Sequence, residues 1–412
     1  MTTIALPYLL IANTCPHYVT GDARRHLSAL WAKDLALHLA YLPMFTVCAP
    51  TDGGDLPADA IDVADWPELA FASFIDLPEQ SRSVWRTLCR LPAGLTRLWR
   101  AIRAASIVHV GVVGWPIPLG SLALLMAKLQ GKFVVVIIES APWRIPRSAK
   151  SSWVKRLRAN FWEAANRNLV SLADLSIFTQ EEYRDSLLTR RRERGHVIHA
   201  SWINEADILS EESARGDWEH KLLPDEPTQL LFAGRLTEEK GVRVLLDAAR
   251  RLNLQGCALN IDIAGDGPLR DACAICAAEL TGSVRLRLVG TTRYGPEFFA
   301  MLRGYHAVLV PSLSDEQPRI VYDAYAQAIP VFASDTPGLR SCVTAGLAGF
   351  LDPSNSSEAL ASRIALACAN KSMLYTMGLA GLRIARSLTH RAMHTKRALI
   401  LAQAIDATSS SI

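Results

Sequence analysis

Short apolar runs alternate with amphipathic stretches along the whole chain, the pattern of an open α/β sheet covered on both faces. In the first half the runs predict strands near Ile4–Ala12, Phe45–Ala49, Ile107–Val112, Phe133–Ile138, Leu175–Phe178 and Val197–His199. Helical periodicity falls at Arg24–Tyr41, Leu119–Leu129 and Trp153–Asn168. Residues 201–228 lose the periodicity and gain charge, Pro and Gly, which marks a domain boundary. The alternation then restarts with a strand at Leu230–Ala233. The helix Val242–Leu252 follows, with Val244, Leu245, Ala248, Ala249 and Leu252 at helical spacing. Further strands are expected at Leu259–Ala264, Leu286–Val289, Ala307–Val310 and Pro330–Ala333. The pattern predicts two Rossmann-like, doubly wound α/β domains, 1–204 and 205–391, with a last helix over about 392–412 able to pack back on the first.

Length and composition agree with this division. A chain of 412 residues, 50% hydrophobic and 20% charged, is folded and too long for one core. Its eight cysteines are scattered. Cys273 and Cys276 form the one close pair, inside an Ala-rich helical stretch, and read as small buried thiols in a reducing cytoplasm. The first apolar run lacks a basic stretch ahead of it, and the internal runs fall far short of the roughly 20 residues of a spanning helix. A cytoplasmic protein without a transmembrane segment is expected.

Charge changes the picture more than its net value of +4 suggests. Between Arg82 and Asn204 there are 20 Lys/Arg against 7 Asp/Glu. The stretches 81–103 and 143–162 interleave the cations with tryptophan, Trp99 and Trp153 among them. Two readings stay open: a solvated basic face with its tryptophans in the core, or a surface for an anionic membrane, peripheral at its inner face. No nucleic-acid recognition motif accompanies the charge.

Candidate chemistry concentrates in Leu230–Gly241 (LLFAGRLTEEKG) and Pro311–Ala324 (PSLSDEQPRIVYDA). Each reads as a strand, a polar turn and a helix start. Gly234 lets the chain turn at the strand end, and Arg235 and Lys240 bracket the loop beyond it, at the sheet edge where open α/β folds bind ligands. In the second segment a helix is expected near Pro318, leaving the N–H groups of Arg319 and Ile320 to meet an anion. Asp315 precedes that helix and Asp323 lies within it. Cations and free amides suit a diphosphate; carboxylates beside them suit sugar and ribose hydroxyls. Asp315 could equally cap the helix. Gly265 belongs to a GDGP turn that lacks a third glycine, Arg270 standing in its place, so it is a tight strand–helix turn beside the nucleotide base and not a dinucleotide fingerprint. His17, Tyr18 and His109 lie near strand ends of the first domain and are candidates for the acceptor, with a structural histidine the competing reading. Asp52-Gly-Gly-Asp55 has the wrong spacing for a metal site.

These segments, with IAGDGPLR (263–270), TPGLR (336–340) and AGFLDP (348–353), resemble the retaining family 4 glycosyltransferases of the GT-B fold over about 230–355; the first half resembles them in layout. The resemblance implies two domains facing across a cleft, with a nucleotide sugar as co-substrate and no metal. Arg235 and Lys240 would bind the diphosphate, Asp315 would face the donor sugar and Asp323 the ribose. The chain departs from the pattern in three places. The family's two glutamates are Asp315 and Asp323, shorter by about 1.5 Å of reach. Where many members carry a histidine, Phe133–Ile138 runs into Glu139, which would take that place against the transferred sugar. The glycine pair of the first loop is reduced to Gly21. The implied activity is sugar transfer with retention to a hydroxyl acceptor in polysaccharide or glycolipid assembly. A catalytically silent nucleotide-sugar binder, and a GT-B epimerase or phosphorylase, remain as alternatives.

Overall fold

The computed structural model describes residues 1–12, 17–18, 24–51, 56, 59–78, 84–112, 118–145, 152–224, 226–314 and 316–409, the side chains of 17–18, 84–90 and 409 excepted. The chain forms two compact units. The first holds the described residues of 1–145, 151–198 and 391–412, the second those of 199–390.

The sheet of the first unit contains β1 (Tyr8–Ile11), β2 (Phe45–Pro50), β3 (Ser73–Leu77), β4 (Ile107–Gly111), β5 (Phe133–Ile138), β6 (Leu175–Phe178) and β7 (Gly195–Val197). All neighbours are parallel, in the order β7-β6-β5-β4-β1-β2-β3. Helices cover both faces, so the central strands are largely buried and read as apolar runs, interrupted in β6 by Ser176. Among these helices are α1 (Ala29–Leu39), α2 (Val84–Ala104), α3 (Leu119–Leu129) and α4 (Trp153–Leu172).

The second unit contains β8 (Thr228–Ala233), β9 (Leu259–Ala264), β10 (Val284–Gly290), β11 (Ala307–Val310), β12 (Val331–Ser334) and β13 (Gly349–Asp352). Their parallel order is β10-β9-β8-β11-β12-β13. Counted from its own first strand, this is the doubly wound order 3-2-1-4-5-6. The helix α5 (Val242–Leu254) buries Val242, Leu245, Ala248, Ala249 and Leu252, the stripe its periodicity predicts. The short α6 (Ile320–Ala326) follows β11, and α7 (His390–Ser409) ends the described chain, its residues from 391 belonging to the first unit. There Ala398, Ile400 and Leu401 are buried with Tyr8, Leu35 and Phe45.

Several expected elements change. Residues 24–28 are not the start of a helix: Arg25–Ser28 is a strand, paired antiparallel with Ala60–Asp62 and with His17–Tyr18. Extended Ser28 stops it and caps α1, its Oγ accepting from the Trp31 amide at 3.4 Å. The first strand begins only at Tyr8, after Pro7, and the last strand of this sheet lies at Gly195–Val197, earlier than expected. Ser73–Leu77 was not anticipated as a strand, because its half-buried edge position blurs the alternation. The stretch read as a pure boundary contains a helix, Glu211–Lys221, capped by Ser210 and anchored by buried Trp218, whose Nε1 donates to the Ala328 carbonyl at 3.0 Å. Cys273 and Cys276 are buried on one helix, and burial pushes both thiols up, in keeping with packing and not reactivity.

Candidate functional site

In the second unit the direction of winding reverses between β8 and β11, and both chemically marked segments leave the sheet there. Backbone contacts join them. The Leu313 amide donates to the Glu239 carbonyl at 2.8 Å, and Ser312 Oγ donates to the same oxygen at 3.3 Å. Gly241, at φ 72°, approaches Pro311 so closely that a Cβ would lie 1.7 Å from the Pro311 carbonyl oxygen. The loop after β9 joins the same edge: the Gly234 amide donates to the Ala264 carbonyl and the Leu236 amide to the Asp266 carbonyl, both at 2.9 Å. A Cβ on Gly265 would lie 1.9 Å from the Gly234 oxygen, so only glycine fits this junction.

On this frame the two cations differ. Arg235 is 70% exposed and paired with Glu239 at 3.0 Å. Lys240 is 22% exposed, its Nζ 3.8 Å from Glu316 Oε2. Helix α6 begins at Ile320, two residues beyond Pro318. Its first backbone bonds are donated by Val321, Tyr322 and Asp323, with the amides of Arg319 and Ile320 ahead of them. The Arg319 guanidinium is exposed and lies over the Trp202 ring at 5.4 Å. Asp323 is buried and accepts from Tyr294 Oη at 3.0 Å; burial first, and then this carboxylate, push the phenol's pKa up. Asp315 and Asp52–Asp55 lie outside the described residues, and the side chains of His17 and Tyr18 are likewise outside them. Sequence reading passed over Glu316 and Tyr294. Neither sits in a distinctive pattern, and only the fold sets them beside Lys240 and Asp323.

The first unit has its own reversal, between β1 and β4, and a pocket of about 310 Å³ opens there. Its walls include Asp34 and His38 of α1, His109 of β4, Glu139 after β5 and Arg397 of α7. Arg397 Nη1 donates to His38 Nε2 at 3.0 Å, so the His38 proton sits on Nδ1, 2.9 Å from the Asp34 carbonyl oxygen and 3.2 Å from its Oδ2. His394 Nε2 meets Asp34 Oδ1 at 3.0 Å. Burial opposes the charge on Arg397, but Tyr41, Asp34, Glu139 and Tyr8 outweigh it and hold the guanidinium ionised. Burial, and then Arg397 and His38, push His109 well below the usual imidazole range, so it is neutral. Among the described residues, His109 Nδ1 and Arg397 Nε are buried without a hydrogen-bond partner. Glu139 is exposed at the end of β5. The pocket therefore unites two expected residues, His109 and Glu139, with three that went unnoticed, Asp34, His38 and Arg397. Their signal was legible: Asp34 and His38 lie i, i+4 in an apolar helix, and Arg397 stands among Ala398, Ile400 and Leu401.

Comparison with known proteins now bears on both units. Residues 216–381, all within the second unit, match the family Glycosyl transferases group 1. The glycosyltransferase WcaL of Salmonella typhimurium, named for colanic acid biosynthesis, is 31% identical over 148 residues, 34% of this chain and 36% of that protein. The matched region thus spans about a third of that relative. A GDP-mannose-dependent alpha-mannosyltransferase of Mycobacterium tuberculosis is 26% identical over 64% of this chain and 65% of its own. Among solved structures, Anabaena HepE in complex with UDP superposes with a TM-score of 0.68 at 16% identity, covering 97% of this chain and 100% of that one. Sucrose-phosphate synthase of Thermosynechococcus elongatus gives 0.66 at 18% identity, covering 98% and 100%. The fold is GT-B, two Rossmann-like domains.

Proposed function

We propose that this GT-B protein, with its group 1 glycosyltransferase domain, is a retaining enzyme of family 4 that moves a sugar from a nucleotide-sugar donor to a hydroxyl acceptor. The observation that carries the reading is the junction of the 234–241 and 311–314 backbones at the β8/β11 reversal, with Lys240 held half-buried beside it. Fixed cations at that edge meet the charge that develops on a diphosphate leaving group. Arg235, Lys240 and the amides ahead of α6 supply it, so the reaction needs no metal. Asp323, oriented by Tyr294, takes the ribose hydroxyls, and Gly265 borders the base. Asp315 is assigned the donor sugar on its motif alone.

The acceptor belongs to the pocket of the first unit. Arg397, His109 and Glu139 line it together, and a guanidinium, an imidazole and a carboxylate match a hydroxyl-bearing ring that needs both donors and acceptors. In the transfer, the bond from the anomeric carbon to the phosphate oxygen breaks and the bond to the acceptor oxygen forms on the same face. The acceptor's proton passes to the leaving phosphate. The relative named for colanic acid biosynthesis supports an acceptor in polysaccharide or glycolipid assembly. HepE was crystallised with UDP whereas the mannosyltransferase is GDP-dependent, so both bases belong in the test. A panel of UDP- and GDP-sugars, assayed for nucleotide release with and without EDTA, is expected to show slow, EDTA-resistant hydrolysis of one donor. Nucleotide release abolished by EDTA and restored by magnesium or manganese would reject the metal-free mechanism. Binding without turnover would mark a silent binder, and a changed sugar on an intact nucleotide an epimerase.

A further inference from the structure

One surface lies outside the proposed reaction. Helix α4 exposes four large apolar side chains in its first half: Trp153 (75%), Val154 (54%), Leu157 (61%) and Phe161 (64%). At about 100° of rotation per residue they share one arc of about 100°. The residues α4 buries, Asn166 and Val170, fall on the opposite side, so the stripe points away from the body of the unit. Arg156 and Arg158 flank it on either edge, and Lys155 is also exposed. The one acidic residue of α4, Glu163, is already engaged: Trp143 Nε1 donates to it at 2.8 Å, and Arg144 Nη2 at 2.6 Å. What α4 shows to solvent over Trp153–Phe161 is therefore apolar and cationic, without a carboxylate.

An apolar stripe of this kind is costly to leave in water, and single exposed hydrophobics do not explain four on one arc. A protein partner would have to match an apolar stripe flanked by two arginines. A bilayer with anionic lipid matches both features at once: the headgroups meet Arg156 and Arg158 at the edges of the stripe, while Trp153 and Phe161 enter the interface. The other basic stretch contributes less, since α2 leaves Trp99 only 41% exposed and Arg97 Nη1 donates to the Asp76 carbonyl at 3.0 Å. We propose that the N-terminal half of α4 is a monotopic docking helix that seats the protein on an anionic membrane through Trp153, Leu157 and Phe161.

The full chain, sedimented with phosphatidylcholine vesicles with and without phosphatidylglycerol, tests this. Binding is expected only with phosphatidylglycerol, weakening as salt rises but not vanishing, because the apolar insertion is not screened. Leu157→Glu with Phe161→Glu is expected to weaken binding at least tenfold at every salt concentration. Arg158→Glu is expected to weaken it mainly at low salt. Both variants should keep the thermal midpoint and nucleotide release of the parent. As a check independent of these substitutions, brominated lipid should quench the parent more than Trp153→Phe. No binding at low salt, equal binding without phosphatidylglycerol, or an unaffected Leu157/Phe161 variant overturns the proposal. So does a parent dimer that the Leu157/Phe161 variant dissociates, since the stripe would then be covered by a second copy.

Discussion

Lys240 and Arg235 stand on one loop, yet their surroundings assign them unequal weight. Lys240 is half-buried beside Glu316, whereas Arg235 is mostly in solvent with Glu239 as its partner. An exposed ion pair contributes about 0–1 kcal/mol, while a preorganised group facing developing charge is typically worth about 3–4 kcal/mol. Lys240→Ala is therefore expected to lower kcat in donor hydrolysis by about 100-fold or more, and Arg235→Ala by much less. Steady-state kinetics of the two variants decide the ranking. Tyr294→Phe should strip one partner from the buried Asp323 carboxylate, at about 1–3 kcal/mol of stability in denaturant titrations. Lys221 carries a pH signature. Burial pushes its pKa down from 10.5 to about 7, although its Nζ donates to the Arg303 and Tyr305 carbonyls at 3.0 and 3.1 Å. Between about pH 7 and 10.5 the unfolded chain holds the proton that the folded one has released, so stability rises with pH across that window. Below it both states are protonated and the full penalty stands. Thermal midpoints measured from pH 6.5 to 9.5 are thus expected to climb for the parent relative to Lys221→Met, and a constant difference would reject the assignment.

At the scale of elements, the proposed donor site depends on glycine junctions between loops. Gly241→Ala forces a side chain into a left-handed backbone position and against the Pro311 carbonyl, costing at least about 1–3 kcal/mol. It should loosen the 234–241 loop from 311–314 and weaken nucleotide binding, measured by calorimetry, more than a surface substitution such as Leu254→Ala on α5. Helix α7 plays a comparable part in the first unit. It supplies Ala398, Ile400 and Leu401 to the core and Arg397 and His394 to the buried polar cluster. A chain ending at His390 is expected to lose cooperative unfolding of that unit, since a buried apolar face and the partners of Asp34 and His38 go together. A cooperative transition of that unit retained in the shortened chain would show that α7 is dispensable to the first unit's fold.

For the whole molecule, the proposed chemistry predicts that ligand binding and stability move together. Saturation with the correct nucleoside diphosphate at about 100 times its Kd should stabilise the second unit by about 2.7 kcal/mol, with or without EDTA. Lys240→Ala should abolish most of that shift. A thermal scan with UDP and GDP would identify the base before any acceptor is known, and a shift that depends on added metal would contradict the charge assignment.

Much of this architecture was legible in the chain because local patterns encode it. Strands β5, β6, β9 and β11 fall where their apolar runs predicted, since a strand buried on both faces is mostly apolar, with buried Ser176 and the ion-paired Asp262 as exceptions. Arg235, Lys240 and Asp323 could be picked out as candidates because turn and helix-start residues mark the ends of strands. The half-buried edge strand Ser73–Leu77 and the Arg25–Ser28 strand escaped, because pairing with partners distant in sequence, and not periodicity, makes them strands. Only the tertiary structure could set Arg397 against His38, or Tyr294 against Asp323, across 359 and 29 residues. A buried polar side chain is stable only beside its partner, and chain order does not say which partner folding will bring.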